Sequence, residues 1–455
     1  MKKRLFGTDG VRGRANLFPM TPEIALSLGR AVGKILRQNG GKHRVVIGKD
    51  TRLSCYMYEN ALIGGLCSMG VDTLVLGPLP TPGVAFITKA YRADAGIVIS
   101  ASHNPYFDNG IKFFSQDGYK IPDGWEKEME ALVKEGAPAF DPYLPEDCAV
   151  GKNTRVDDAA GRYIEFVKGT FPRKMSLKGM KIALDCANGA GYRVAPLIFK
   201  ELDAEVEVIH NQPDGLNINS NCGALYPEHI QKLVGETSSH IGICLDGDAD
   251  RVILVDEKGQ IVDGDTILAI CAKDMMQKGL LQNKTLVATV MSNYGFIQEM
   301  ESMGIAIVRA KVGDRHVIQE MLRTESNLGG EPSGHIIFLD YNTTGDSLVA
   351  ALQVLRIMIE TNSTLSELSS AAFIRYPQVL VNVKVSSKPD LESIEGLSQA
   401  IKSAEKSLGA KGRVLIRYSG TENICRVMVE GAEKPMIENL ANKLAVCLKE
   451  QIGAK

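Results

Sequence analysis

Three aspartates stand one residue apart in the run DGDADR: Asp246, Asp248 and Asp250. Gly247 and Ala249 separate them, and Arg251 follows. Alternate carboxylates on an extended or turning backbone can converge from one side. Three hard oxygen ligands suit Mg²⁺, which keeps water or substrate phosphate in its remaining positions. Without a cation, three packed like charges raise their pKa values and cost stability. The plainer reading is a solvated acidic turn. The small residues between the acids, and the apolar strands on both sides, favour a built metal site. The run does not fit the Asp-rich calcium loop, which needs Glu at its twelfth position. Arg251 can balance the acids or touch phosphate.

A second chemical group is Ser102, in GIVISASHNPYFDNGIKFF (96–114), where an apolar run stops in a small, polar loop. Such a hydroxyl can be a nucleophile, a phosphate acceptor or a turn residue. His103 is adjacent, but neighbours on an extended chain point opposite ways, so the pair does not argue for a hydrolase. There is no GxSxG elbow. A phosphoserine is the more economical reading, because its oxygens are natural Mg²⁺ ligands beside the aspartates.

RYSGTEN (417–423) sets Arg417, Ser419, Gly420 and Thr421 directly after an apolar strand, with Arg426 a few residues on. A guanidinium fork, hydroxyls and Gly-exposed amides make a phosphate clamp; the alternative is an ordinary β-turn. The P-loop pattern is absent. GEPSGH (330–335) offers Glu331 and Ser333 for sugar hydroxyls, and His335 for a proton near neutral pH or for packing. Lys112 and Arg12 are further acid–base or anion-site candidates. Gly313, Asp314 and Arg315, in KVGDRHV, can form part of a substrate pocket.

These loops need strands to carry them. Residues 21–37 place Ile24, Leu28, Ala31, Val32 and Ile35 at helical spacing behind a threonine–proline opening. Residues 43–50 and 95–100 read as buried strands, and 58–69 as a helix. The alternation restarts at 180–191 and again at 263–279. It predicts three consecutive mixed α/β domains, with a polar loop at strand C-terminal ends in each. Residues 348–360 read as a helix, 128–153 and 361–375 as linkers. A smaller C-terminal α+β domain follows, with helical segments near 391–408 and 436–448. The predicted boundaries are 1–150, 151–255, 256–370 and 371–455.

Bulk properties agree with several domains, since 455 residues exceed one ordinary core. The chain is 44% hydrophobic and 23% charged, typical of globular proteins. A net charge of -2 gives no general reason to expect nucleic acid. Nine dispersed cysteines with no CxxC pair read as reduced thiols rather than a zinc site or disulfide framework. No apolar run reaches membrane-spanning length and no signal-type segment opens the chain, so a cytoplasmic location without membrane attachment is expected.

GTDGVRG, ISASHNP, DGDADR, GEPSGH and RYSGTEN occur in the order and approximate spacing of the α-D-phosphohexomutase superfamily, which the whole chain resembles. FGTDGVRG, GPLPTPG and SASHNPYFDNGIKFF are most similar to its bacterial phosphoglucosamine mutase branch. The resemblance implies a heart-shaped, four-domain architecture around a central cleft. It implies Ser102 as the phosphoserine and Asp246, Asp248 and Asp250 as Mg²⁺ ligands with it. Glu331 and Ser333 would contact the sugar, and Arg417, Ser419, Gly420, Thr421 and Arg426 the phosphate that is not transferred. Arg12, Lys112 and His335 match positions linked to phosphoryl transfer or proton handling. The implied reaction interconverts glucosamine 6-phosphate and glucosamine 1-phosphate through a sugar bisphosphate, supplying UDP-N-acetylglucosamine and cell-wall precursors. Initial phosphorylation of Ser102 implies an activating kinase. Monomer and homodimer both stay open.

Two positions depart from the branch pattern. Pro332 replaces a common Gln, restricting the loop and removing an amide donor, and Asn423 replaces a common Pro. The same apparatus would serve a phosphoglucomutase/phosphomannomutase. A non-catalytic sugar-phosphate-binding relative is the alternative from another class, and the intact set of Ser102, three aspartates and Arg417 argues against it.

Overall fold

Continuous apolar runs build buried strands, and a computed structural model shows how they pair. It describes residues 5–7, 9–38, 40–146, 149–419 and 423–454. The first sheet contains β1 (Val11–Arg14), β2 (Arg44–Lys49), β3 (Asp72–Pro78), β4 (Ala95–Ile99), β5 (Asp108–Ser115) and β6 (Asn153–Arg155), in the order β1-β5-β4-β2-β3-β6. The second contains β7 (Lys181–Asp185), β8 (Glu205–Ile209), β9 (Ile241–Leu245), β10 (Val252–Asp256) and β11 (Ile261–Val262), ordered β11-β10-β9-β7-β8. The third contains β12 (Thr285–Thr289), β13 (Ala306–Ala310), β14 (Leu328–Gly330) and β15 (Ile336–Phe338), ordered β13-β12-β14-β15.

One topology recurs in all three. Parallel strands form the interior, and one of them turns back into an antiparallel neighbour: β4 into β5, β9 into β10, β14 into β15. Those three connections carry Ser102, the acid run and the GEPSGH loop. Strands buried on both faces need no polar alternation, and every residue of β4, β9 and β10 is buried. The fourth sheet is antiparallel throughout: β16 (Gln378–Lys384), β17 (Gly412–Tyr418) and β18 (Ile424–Gly431) in the order β16-β18-β17. Its β17–β18 connection carries the RYSGTEN loop.

Helices follow their sequence signals closely. Thr21 caps helix Pro22–Arg37, its side chain accepting from the Ile24 amide, and Lys34 and Arg37 occupy the last turn. Helix Ser347–Thr361 is capped by Asp346. Two stretches read as linkers contain structure. Helix Asp123–Glu135 runs through the first, burying Met129 and Leu132. Helix Leu365–Ala372 lies in the second and buries Leu365 and Ala372. Both bury only a few side chains, a weak signal against a polar background.

Residues 1–291 and 305–372 form one compact unit, holding the first three sheets. Residues 292–304 and 373–455 form another. Helix Tyr294–Ser302 therefore belongs to the C-terminal unit, although it follows β12 in the chain. Glu430 accepts from the Tyr294 amide at 3.2 Å, and Arg413 Nη2 donates to the Ser292 carbonyl at 2.5 Å. Eight cysteines are described and free, six of them buried; Cys148 lies outside the described residues. Among the described residues, no helix is long and apolar enough to cross a membrane.

Candidate active site

Strand β4 ends at Ile99 and the chain turns sharply. Ser102 has φ +53°, left-handed for a residue that is not glycine. Its amide donates to Ser100 Oγ at 2.9 Å, and its Oγ donates to Asp246 Oδ2 at 2.6 Å. The left-handed turn breaks the extended-chain geometry expected for Ser102 and His103, and His103 Nδ1 comes within 3.4 Å of Ser102 Oγ. It is still a poor base. The same Nδ1 faces Arg251 Nη1 at 3.2 Å, and burial, then Arg251 and Arg12, push the imidazole down to about 4.

The acid run turns tightly between β9 and β10, with Ala249 at φ +54°. Asp246, Asp248 and Asp250 are buried, and one carboxylate oxygen from each lies within 4.8 Å of the others. This is a group that can hold a divalent cation. Two of its acceptors, Asp248 Oδ1 and Asp250 Oδ1, are buried and find no hydrogen-bond donor among the described residues, and a divalent cation would satisfy both. Burial, then Asp250 and Asp248, push Asp246 well above the usual carboxylate range. Asp250 goes the other way: burial pushes it up, but Lys112, His335 and Arg251 together outweigh that and hold it well below the usual carboxylate range.

Lys112, on β5, supplies the main countercharge. Its Nζ lies 2.8 Å from Asp248 Oδ2, 3.4 Å from Asp9 and 3.5 Å from Asp250, with 2% of its side chain exposed. Burial works against its charge, but Asp248, Asp9 and Asp250 raise its pKa overall. Arg12 pairs with Asp9, which also holds Lys120. Thr81 Oγ1 donates to Asp248 Oδ2 at 2.6 Å. Thr81, Asp9 and Lys120 were not singled out from sequence. Thr81 and Asp9 lie inside GPLPTPG and FGTDGVRG, so the motifs contained the signal.

Glu331 and Ser333 share the β14–β15 loop, Ser333 Oγ lying 3.5 Å from Glu331 Oε2. Glu331 Oε1 accepts the Gly313 amide at 2.9 Å, joining the two expected substrate loops. The Gly334 amide closes a turn on the Glu331 carbonyl at 3.0 Å, with Pro332 at its second position. That position favours proline and asks for no amide donor. His335 takes the Gly345 amide on Nε2 at 3.2 Å, leaving Nδ1 3.8 Å from Asp250. Asp314 and Arg315 line a cleft of about 320 Å³ with Tyr119, Ile121 and Leu322. Arg315 is occupied by Glu126 and by Asp123 at 2.9 Å, and Asp314 by Lys120.

In the other unit, Arg417 and Arg426 stand directly opposite on β17 and β18. Burial and then Arg426 push the Arg417 pKa down. Like charges at facing positions are destabilising, and an anion would relieve them. Ser419 is buried, and Lys388 Nζ donates to its carbonyl at 2.7 Å. Lys388 is a third cation at this loop that sequence reading missed. Gly420 and Thr421 lie outside the described residues.

Among the described residues, a second group with metal-ligand chemistry is Asp185, His210 and Cys222. The Asp185 carboxylate is already taken by the Ala187 amide, the Gly223 amide and His210 Nδ1 at 2.8–2.9 Å. It ties loops together.

Comparison with known proteins agrees with the repeated topology. Residues 3–139, 161–259 and 263–376 match the phosphoglucomutase/phosphomannomutase alpha/beta/alpha domains I, II and III, and 380–446 match the C-terminal domain of that family. The phosphoglucosamine mutase of Protochlamydia amoebophila is 65% identical over 450 residues, spanning 99% of this chain and 98% of its own. That of Chlamydia abortus is 60% identical over 452 residues, with the same coverage. A phosphoglucomutase/phosphomannomutase family protein from Burkholderia thailandensis shares the fold over the full length of both chains, with TM-score 0.81 at 23% identity. The N-acetylphosphoglucosamine mutase of Aspergillus fumigatus, solved with GlcNAc-6P and magnesium, has TM-score 0.68 at 20% identity, covering 98% of this chain and 95% of its own. The chain belongs to the phosphoglucomutase/phosphomannomutase family, the α-D-phosphohexomutases.

Proposed function

We propose that the chain is a phosphoglucosamine mutase that interconverts glucosamine 6-phosphate and glucosamine 1-phosphate, with Ser102 as the phosphoryl carrier. The observation that carries the chemistry is Ser102 Oγ at 2.6 Å from a cluster of three buried carboxylates, two of which keep an orphaned oxygen. A hydrolase would need a base at Ser102, and His103 is spent on Arg251. The choice of sugar is supported by the names of relatives at 59–65% identity across nearly the whole chain.

The phosphoryl group on Ser102 passes to the free hydroxyl of the sugar phosphate. The P–Oγ bond breaks, a P–O bond to the sugar forms, the sugar hydroxyl loses its proton and Ser102 Oγ gains one. The bisphosphate turns over, and Ser102 takes back the other phosphoryl group. Asp246, Asp248 and Asp250, with an oxygen on Ser102, would hold Mg²⁺, which offsets the charge of the transferring group when bound. Arg12 and Lys112 add positive charge on the same side, and positioning supplies much of the barrier reduction. His335 presents Nδ1 towards Asp250 and is the candidate for moving a proton. Glu331 and Ser333, with the backbone at Gly313–Arg315, face the sugar in this reading. Arg417, Ser419, Gly420, Thr421 and Arg426 take the phosphate that is not transferred. A kinase, or a sugar bisphosphate, loads Ser102 at the start.

The test is direct. Protein phosphorylated on Ser102 is incubated with Mg²⁺, trace hexose bisphosphate and, in turn, glucosamine, glucose and mannose 6-phosphates, and the 1-phosphates are assayed. Glucosamine 1-phosphate is expected to form fastest. An equal or faster rate on glucose or mannose overturns the sugar assignment, and no product from any of them overturns the mutase assignment.

A further inference from the structure

Two side chains from different sheets hold the same pair of backbone carbonyls. Arg52, in the loop after β2, donates from Nη2 to the Ser102 carbonyl at 3.2 Å and to the Asn104 carbonyl at 2.5 Å. Asn219, in the loop after β8, donates from Nδ2 to the same two oxygens at 2.8 and 3.0 Å. Both donors are buried. Arg52 is pinned by Asp50, which pairs with its guanidinium and accepts its amide at 2.9 Å. Asn219 is pinned by its own amide, which donates to the Ala187 carbonyl at 3.0 Å. Gly247 closes the remaining side: a Cβ there would stand 2.5 Å from the Ser102 carbonyl oxygen and 2.7 Å from Asn219 Nδ2.

Every backbone polar group of Ser102 is thereby assigned, the amide to Ser100 and the carbonyl to Arg52 and Asn219, and only Oγ is left for chemistry. The left-handed backbone at Ser102 costs about 1–2 kcal/mol for a residue with a Cβ, so the loop keeps it only if its surroundings enforce it. A carrier that gives and takes a phosphoryl group in each turnover needs one fixed Oγ direction for both transfers.

We propose that Arg52 and Asn219 are positioning residues for phosphoryl transfer: by clamping the Ser102 and Asn104 carbonyls they fix the direction of the P–Oγ bond towards the sugar hydroxyl. This rests on the mutase reading above. Neither side chain touches reacting atoms. The competing account is that they only satisfy buried carbonyls. The two accounts differ in a side reaction. With the loop unclamped, water attacks phosphorus, the P–Oγ bond breaks, a proton from the water passes to Oγ, and orthophosphate leaves.

The experiment compares serine-phosphorylated wild type with Asn219→Asp, which keeps the shape but turns the donor into an acceptor facing two carbonyls. Asn219→Ala, which leaves both carbonyls to Arg52, carries the same expectation should Asn219→Asp fail to fold. Ser102 phosphate is counted by mass spectrometry. Orthophosphate released per glucosamine 1-phosphate is measured, with kcat and KM, and phosphoserine lifetime without sugar is followed by phosphorus NMR. The clamp predicts a fall in kcat of about 10- to 100-fold, KM within about twofold, more orthophosphate per product and a shorter phosphoserine lifetime. Unchanged kcat and orthophosphate ratio, or a change in KM alone, overturns the clamp while wild-type isomerisation keeps the mutase reading. Wild type that isomerises no hexose phosphate overturns the mutase reading, and the phosphoserine lifetimes then decide the clamp separately.

Discussion

Ser102 Oγ donates to Asp246 Oδ2 across 2.6 Å, so phosphorylation must remove a proton that links the loop of the first sheet to the acid run of the second. The phosphorylated side chain has no proton to offer and adds about -2 of charge beside three carboxylates. A divalent cation then becomes the natural bridge. Mg²⁺ is expected to raise the melting temperature of the phosphorylated protein more than that of the unphosphorylated one. At a hundredfold excess over Kd the gain is about 2.7 kcal/mol. Asp248→Asn should shrink it. Calorimetry of the four combinations checks this, and equal Mg²⁺ shifts in both phosphorylation states count against a shared site.

Lys112 is the buried charge on which the acids lean. Replacing it with Met leaves Asp248, Asp9 and Asp250 facing one another without their shared cation. Breaking a buried pair from one side costs about 3–5 kcal/mol. Lys112→Met is expected to lose stability on that scale in urea titrations, and to lose mutase activity by more than 100-fold if Lys112 also serves transfer. A variant that keeps wild-type stability would mean the acids are neutralised another way.

Ser102, the acid run, GEPSGH and RYSGTEN were legible as candidates because each packs its chemistry into a few consecutive residues, and each loop follows an apolar strand. Their partners were not. Thr81 meets Asp248 across 167 positions, and Asn219 meets Ser102 across 117; no local pattern marks such pairs. The three-domain repeat was visible as alternation, but the shared hairpin appears only once strand order is known. His103 was misjudged in geometry because φ +53° at Ser102 is not a property that serine advertises. Arg315 read as a substrate contact from its charge and loop, yet its guanidinium is engaged by Glu126 and Asp123. Charge is legible in sequence, and direction is not.

His210 gives a pH prediction. Its Nδ1 lies 2.9 Å from Asp185, and that hydrogen bond raises the imidazole pKa above its ordinary 6.5 against the burial that lowers it. A raised folded pKa contributes stability that is fully present below the unfolded value and is lost as pH rises through the folded one. The stability gap between wild type and His210→Gln should therefore be widest below about pH 6.5 and close at higher pH. Urea titrations of both proteins between pH 5.5 and about 8.5 read it, and a gap that widens with pH would contradict the pairing.

Pro332 occupies the second position of a turn closed by the Gly334 amide on the Glu331 carbonyl. Proline suits that position through its fixed φ and lowers the entropy of the unfolded chain. Pro332→Gln is expected to destabilise by about 0.4–1 kcal/mol and to leave the ranking of glucosamine, glucose and mannose phosphates unchanged. A switch in sugar ranking would show that the ring itself touches the sugar or sets Glu331.

Arg417 and Arg426 face each other across the β17–β18 ladder with like charge. Two like charges at facing positions cost roughly 0.2–1 kcal/mol, and an anion held by both would offset it. Arg417→Gln removes one charge, so the unliganded protein should keep or slightly gain stability while KM for hexose phosphate rises and kcat falls less. Inorganic phosphate separates this from a packing defect. It should stabilise wild type against heat in proportion to its concentration and give a smaller shift in Arg417→Gln, and the difference should fade in high salt as screening takes over. Identical phosphate shifts in the two proteins would remove Arg417 from the anion site, whatever happens to KM.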